Sequence, residues 1–380
     1  MVLSNRVSWP ACMALLLGLV LVGGCSSSSP SSSSSSTSSS APASSADLPA
    51  VHHVFVVNLE NKSYADTFDA GSDAPYLSQT LTSQGVLLKQ FFGIAHHSLP
   101  NYLAQISGQA PNPDTQDDCK TFTEFEQTGV EAPQQAVGRG CVYPSSVRTI
   151  ADQLETRGLT WRGYLEDMGT PCRHPEIGSH DTTSKAREGD QYATKHNPFV
   201  YFHSILDSPS CRRDVVDLTH LREDLAAKST TRNLSFITPN LCNDGHDSPC
   251  VDGRPGGLTS ADAWLRTWVP RITASPAFRA DGMLVVTFDE AENGKPGDAD
   301  ACCGQVSGPN TEQAGLDGPG GGRVGAVVLS PFVEPGGSSD QPYNQYSLER
   351  TLARIFGVAP LGYARHAREL GGDVWSPSAG

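Results

Sequence analysis

Two acidic pairs and one serine supply the residue types from which hydrolytic chemistry can be built. Glu60-Asn61 follows an apolar run over 53–59, and Asp289-Glu290 follows a second over 282–288. Carboxylate and amide oxygens of this kind suit hard divalent cations such as Ca²⁺, Mg²⁺ or Mn²⁺, and zinc also accepts carboxylate. Either pair alone is equally compatible with acidic residues that merely solvate a loop. Two pairs, each flush against an apolar run, point to a shared cation site. The serine is Ser98, in His96-His97-Ser98-Leu99-Pro100-Asn101-Tyr102-Leu103. Leu99, Leu103 and Ile106 share a helical face, Pro100 suits a first turn, and Gly108 ends the pattern. Ser98 therefore falls at or next to a helix N-cap, where two roles are open to it. It is a capping hydroxyl, or a nucleophile whose alkoxide is favoured by the helix N-terminus and a nearby cation. Free N–H groups at that end would receive anionic oxygens.

The elements that must position these residues alternate in kind. Compact apolar runs predict strands over 53–59, 85–92, 159–165, 233–238, 282–288 and 324–329. Helical spacing predicts helices over 146–157, 215–228, 260–272 and 346–356, the third with Ser260 and Asp262 at its N-cap end. Alternating strands and helices predict an α/β fold: a doubly wound, mostly parallel sheet with helices on both faces, in a single domain. Ligands of such sheets bind beyond the carboxyl ends of strands, which is where both acidic pairs fall.

The start of the chain reads as a processing segment. An apolar run over 11–22 is too short to span a bilayer, which takes roughly 20 residues. It leads into Val22-Gly23-Gly24-Cys25, which resembles a bacterial lipobox with Cys25 as the lipidated residue; a cleaved secretory signal with an incidental cysteine is the alternative. Residues 1–24 are thus read as a lipoprotein signal peptide, 25–47 as a Ser-rich flexible tether, and 48–375 as the catalytic domain. This predicts an exported protein, anchored to the outer face of the membrane or released. The formal charge of −14 argues against a nucleic-acid partner but leaves phosphorylated ligands open, since a bound cation dominates its local field. Of ten cysteines, Cys12 and Cys25 belong to the leader and its end, and the other eight read as disulfides. Cys242–Cys250 is the first expected bridge, around Asn243, Asp244 and His246, and Cys119–Cys141 is the second. The adjacent Cys302 and Cys303 are expected to bond to distant partners.

The segment HVFVVNLENKSYADTF, residues 53–68, resembles the opening motif of the bacterial phosphoesterase family that contains acid phosphatases and phospholipases C, within the alkaline-phosphatase-like superfamily. The likeness continues through HHSLPNYLAQISG, KHNPFVYF (195–202), ITPNLCNDGHD (237–247), VVTFDEAE (285–292) and NQYSLERTLARIFG, in family order. The SLPN and NLCNDGHD blocks bring it nearer the acid phosphatase branch, and the extra carboxy-terminal domains of many secreted phospholipases C are not seen. The resemblance implies a divalent cation held by Glu60, Asn61, Ser98, Asp289 and Glu290, with Ser98 as nucleophile of a phosphoserine mechanism. It further implies that His196 and His246 act in catalysis, and that Asn101, His196, Asp244 and His246 contact a phosphorylated small molecule or phospholipid. His196 and His246 are equally open to structural roles, and His96 to orienting the turn. Two positions depart from the pattern: His97 stands where proline is frequent, and Glu290 replaces an aspartate of some members. The activity implied is phosphomonoester hydrolysis, with a phospholipase C-type diesterase or a non-catalytic phosphate-binding lipoprotein as alternatives.

Overall fold

A computed structural model describes residues 48–376. The expected signal peptide, Cys25 and the tether lie outside the described residues. The two strongest apolar runs become central neighbours in an eight-stranded sheet: β1 (His53–Leu59) and, as its sixth strand in chain order, β6 (Gly282–Phe288). The others are β2 (Val86–Leu88), β3 (Trp161–Leu165), β4 (Val215–Asp217), β5 (Leu234–Thr238), β7 (Ala326–Leu329) and β8 (Gly337–Ser339). The spatial order is β8-β2-β7-β6-β1-β5-β3-β4. Only β7 opposes its neighbours; all other pairings are parallel. Every residue of β1, β5 and β6 is buried, and successive side chains point to opposite faces, so both faces of the sheet centre are covered.

Register fixes the site. β1 and β6 pair from His53↔Gly282 to Leu59↔Phe288. Glu60 and Asp289 therefore leave the same sheet edge side by side, and the Asp289 N–H donates to Leu59 O at 3.0 Å. The carboxyl end of β5 arrives at the same edge.

Four helices matter for the site: α1 (Ser98–Ser107), α2 (Ile150–Thr156), α3 (Gly257–Ala274) and α4 (Gln345–Phe356). All ten residues of α1 are buried. It ends at Gly108, whose φ of 65° is left-handed; a Cβ there would sit 2.1 Å from Leu361 O, so glycine is required.

Several predicted elements change on folding. Residues 85–92 divide into β2 and a separate two-residue strand, Phe91–Phe92, which pairs with Tyr343–Asn344. The 215–228 helix is instead the edge strand β4, a 3₁₀ turn and one helical turn, Leu221–Asp224, because Asp217 caps the 3₁₀ turn through the Thr219 N–H at 3.0 Å. The 146–157 helix starts late, where Thr149 and Asp152 form a capping box. Ser260 is no N-cap: α3 starts earlier, and the Ser260 hydroxyl instead accepts the Gly256 N–H from inside the first turn. The disulfides are Cys119–Cys141, Cys172–Cys211, Cys242–Cys250 and Cys302–Cys303. The first expected pairings are thus present, whereas the adjacent cysteines bond to each other, since the remaining six are consumed among themselves.

Candidate active site

Glu60 is fully buried at the end of β1 and forms the hub of the site. Its Oε2 accepts the Ser98 hydroxyl at 2.7 Å, and its Oε1 accepts the Tyr102 hydroxyl at 2.5 Å. The Glu60 N–H donates to Asp244 O at 2.9 Å, tying the strand end to the loop after β5. Asn61 takes a left-handed φ of 53°, and its N–H donates to Asp289 Oδ1 at 3.1 Å.

The turn carrying Ser98 is built by side chains reaching back to backbone. Asn101 Oδ1 accepts the N–H groups of Ile94 and Ala95, while its Nδ2 donates to Ala95 O and His97 O. With its amide so engaged, Asn101 shapes the turn that carries Ser98. Asp118 Oδ1 accepts the Leu99 N–H at 3.0 Å, taking one free donor of the first helical turn. Tyr102, one helical turn below Ser98, stacks on His196 with centroids 5.4 Å apart.

His196 lies between two carboxylates. Its Nε2 is 3.2 Å from Glu60 Oε2 and its Nδ1 is 3.2 Å from Asp244 Oδ2. His246 receives its position from the same loop, its N–H donating to Asp244 Oδ1 at 2.8 Å and its Nδ1 meeting Asp247 Oδ1 at 2.8 Å. The Cys242–Cys250 bridge closes this loop. Glu290 is turned aside: its Oε2 contacts His96 Nδ1, and His96 Nε2 donates to Asp298 O at 2.8 Å. Its carboxylate therefore meets a histidine two residues before Ser98.

Behind these residues runs a chain of buried amides. Asn58 and Gln105 exchange hydrogen bonds at 2.9 and 2.8 Å, Gln105 donates to Gln345 Oε1, and Gln345 Nε2 donates to Phe288 O and Asp289 O. β1, α1, α4 and the end of β6 are thus locked together, which fixes Ser98 relative to Asp289.

Charge is the site's unusual property. Glu60, Asp244, Asp289 and Glu290 are all buried, with Lys195 and His196 as the buried cations beside them. Burial pushes Asp289 and Asp244 up, and the Glu60 charge adds to the rise at each. Burial would also raise Glu60, but His196 and Lys195 outweigh it and hold that carboxylate low. Burial would lower the His196 imidazolium, yet Glu60 and Asp244 overcome it and raise the group.

The residues fit a divalent cation. Asp289 Oδ2 and Asp244 Oδ2 are buried without hydrogen-bond partners, and both His196 nitrogens lack aligned ones despite their short approaches. Ligand atoms of Glu60, His196 and Asp244 lie within 4.8 Å of one another. Buried carboxylates left unneutralised cost several kcal/mol each, and an oxygen-rich set with one imidazole suits Ca²⁺, Mg²⁺, Mn²⁺ or Zn²⁺.

Three residues of the site escape the sequence reading of roles. Tyr102 carries a signal, standing four residues after Ser98 and hence on its face of α1. Lys195 precedes His196 in the KHNPFVYF block. Asp118 has no sequence signal beyond its place beside Cys119.

The fold has a counterpart among solved structures. A protein in the alkaline phosphatase superfamily from Vibrio parahaemolyticus shares it at a TM-score of 0.50 and 13% identity, over 86% of this chain and 71% of that one. Residues 70–359 match the Phosphoesterase family, and the chain belongs to that family. Among relatives, an acid phosphatase of Aspergillus fumigatus is 29% identical over 249 residues, covering 66% of this chain and 47% of its own length. A phosphate-repressible acid phosphatase of Penicillium chrysogenum is 28% identical over 282 residues, 74% of this chain and 54% of its own. The chain thus spans about half the length of these fungal relatives. A phosphatidylinositol-3-phosphatase of Mycobacterium tuberculosis is 26% identical over 333 residues, 88% of this chain and 85% of that one.

Proposed function

We propose that the protein is a metal-dependent hydrolase of phosphate monoesters that works through a phosphoserine on Ser98. The observation that carries this reading is the buried Ser98 hydroxyl, at the first turn of α1, donating at 2.7 Å to a carboxylate within an under-neutralised acidic cluster. A capping serine has no need of such a cluster.

Glu60, Asn61 and Asp289, with Asp244 and His196 around them, would hold the cation, and Glu290 would join them only by leaving His96. When bound, the cation supplies Lewis-acid activation of the phosphoryl oxygens and favours the Ser98 alkoxide. The Ser98 hydroxyl passes its proton to Glu60 Oε2 as Oγ attacks phosphorus, so that the Oγ–P bond forms while the bond from phosphorus to the leaving oxygen breaks; the proton returns to Oγ when the serine is released. The leaving oxygen takes a proton and departs as alcohol. Water then attacks phosphorus, the Oγ–P bond breaks, and serine and inorganic phosphate are released. Tyr102 and His196 keep the Glu60 carboxylate facing Ser98. His246 is half-exposed, Asp247 fixes its Nδ1, and its Nε2, 3.5 Å from Lys195 Nζ, is the nitrogen that would exchange the proton of the leaving oxygen and of the attacking water. The N-terminus of α1 adds favourable potential for anionic oxygens.

A second reading, in which the phosphate is borne by a lipid, is favoured by one observation. The mycobacterial relative, named for a phosphoinositide, matches along nearly its whole length, whereas the fungal phosphatases match over about half of theirs. Four disulfides support an oxidising, exported setting, in which a lipid anchor at Cys25 would bring the site to a membrane surface.

The test is to strip the protein with a chelator and assay it on p-nitrophenyl phosphate, bis-p-nitrophenyl phosphate and phosphatidylinositol 3-phosphate vesicles, with Ca²⁺, Mg²⁺, Mn²⁺ or Zn²⁺ restored singly. Monoester turnover that is lost with the metal and regained with one of them is expected. Turnover of the diester alone would overturn the proposal in favour of a phospholipase C-type activity. Silence on all three with every cation would leave a phosphate-binding lipoprotein.

A further inference from the structure

We infer that Lys195 is a catalytic residue: its ammonium is a second, protein-borne seat for the transferring phosphoryl group, mounted on Asp118 beside His246. The inference rests on the monoesterase reading and adds to it a residue and a division of labour.

Lys195 is buried, with 7% of its surface exposed. Its Nζ donates to Asp118 Oδ2 at 3.1 Å and lies 3.5 Å from His246 Nε2. An ammonium has three donors, so one remains after these two contacts. The mount is specific. Asp118 spends its other oxygen on the N–H of Leu99, the residue that follows Ser98, so a single carboxylate links the ammonium to the nucleophile's own helical turn. Asp118 and Cys119 both adopt left-handed backbone, at φ 52° and 50°, and Cys119 is held by its disulfide to Cys141. Two successive non-glycine residues in that region are costly and are retained where a side chain must be aimed.

The placement matches a need the metal leaves open. In phosphoryl transfer, charge spreads over three equatorial oxygens, more than a single cation would neutralise. Lys195 approaches from the Asp118–His246 side. A purely structural ion pair would tie the 195 segment to α1 and nothing more; the distinction is measurable.

The experiment compares full-length wild type with Lys195→Met and Lys195→Arg on p-nitrophenyl phosphate, together with bound-metal content and inhibition by inorganic phosphate. Lys195→Met should lower kcat by about 10²-fold and weaken phosphate inhibition at least about tenfold, with metal content unchanged. Lys195→Arg should recover part of both. If the Met variant does not fold, Lys195→Gln, which keeps a donor to Asp118 without the charge, carries the same comparison. The inference is overturned if an uncharged variant stays within about threefold of wild type in kcat and phosphate affinity, or loses rate only in proportion to lost metal. Wild type that turns over no monoester with any cation would bring down the parent reading instead, and the lysine's catalytic role with it.

Discussion

Glu349 offers a stability test that is independent of catalysis. It sits on α4, fully buried, with Oε1 accepting the Leu361 N–H at 3.1 Å and Oε2 without any partner. Burial pushes its carboxyl up from 4.5 to about 8, against the smaller opposing pull of the Leu361 N–H, Arg350 and Arg365. The fold therefore prefers the protonated acid. Between pH 4.5 and about 8 the unfolded chain has released this proton and the folded chain still holds it, so stability falls as pH rises through that window. At about 1.4 kcal/mol per pH unit the loss approaches roughly 4 kcal/mol by pH 8, an upper bound because a buried site relaxes on ionising. Glu349→Gln keeps the acceptor for Leu361 and cannot ionise. Its stability, from denaturant titrations at half-unit steps of pH from 4.5 to 8.5, should match wild type near pH 4.5 and exceed it increasingly above, by up to about 4 kcal/mol near pH 8. Other buried carboxylates tilt both curves alike, so the difference isolates Glu349. Parallel curves for the two proteins across the window would refute the reasoning.

Three further outcomes follow from the site. Asn101→Ala leaves the Ile94 and Ala95 N–H groups unpaired and should cost about 2–4 kcal/mol in denaturant unfolding, with kcat falling more than KM rises; a rise in KM alone would make Asn101 a substrate contact instead. Tyr102→Phe removes the hydroxyl that fixes Glu60 Oε1 and should lower kcat about tenfold while metal titration shows weaker binding; unchanged metal affinity would mean that Tyr102 does not orient Glu60. Opening the Cys242–Cys250 bridge with a paired serine substitution should cost about 2.5 kcal/mol, from the entropy of a short loop, and should slow turnover by loosening Asp244 and His246; a variant destabilised yet fully active would separate the bridge from the site.

The parts of the fold legible in the sequence are those where burial is total. β1 and β6 are continuous apolar runs because parallel central strands are covered on both faces, and their ends could be read to the residue. β4 was hidden because Val215, Val216, Leu218, Leu221 and Leu225 satisfy a helical spacing, and only pairing with β3 makes the first three residues a strand. The direction of β7 is a property of the connection and leaves no mark on its composition. The polar hairpin Glu126–Glu131 with Gln135–Arg139 is largely exposed on its first strand and lacked any apolar alternation to reveal it. At the site, Ser98, Glu60 and Asp289 were visible because chemistry and strand ends coincide. Asp118 and the Asn58–Gln105–Gln345 amides were not, since their roles arise from partners far away in sequence.

The central claim is that Ser98 carries the phosphoryl group. Mixing the metal-loaded protein with a labelled phosphate monoester, quenching in acid within the first turnovers and mapping the label by peptide mass spectrometry tests it most directly. Phosphate is expected on the peptide containing Ser98 and is expected to be absent from Ser98→Ala, which should be folded, bind metal and be inactive. Turnover without label at Ser98, or a Ser98→Ala variant with near-normal rate, would contradict it.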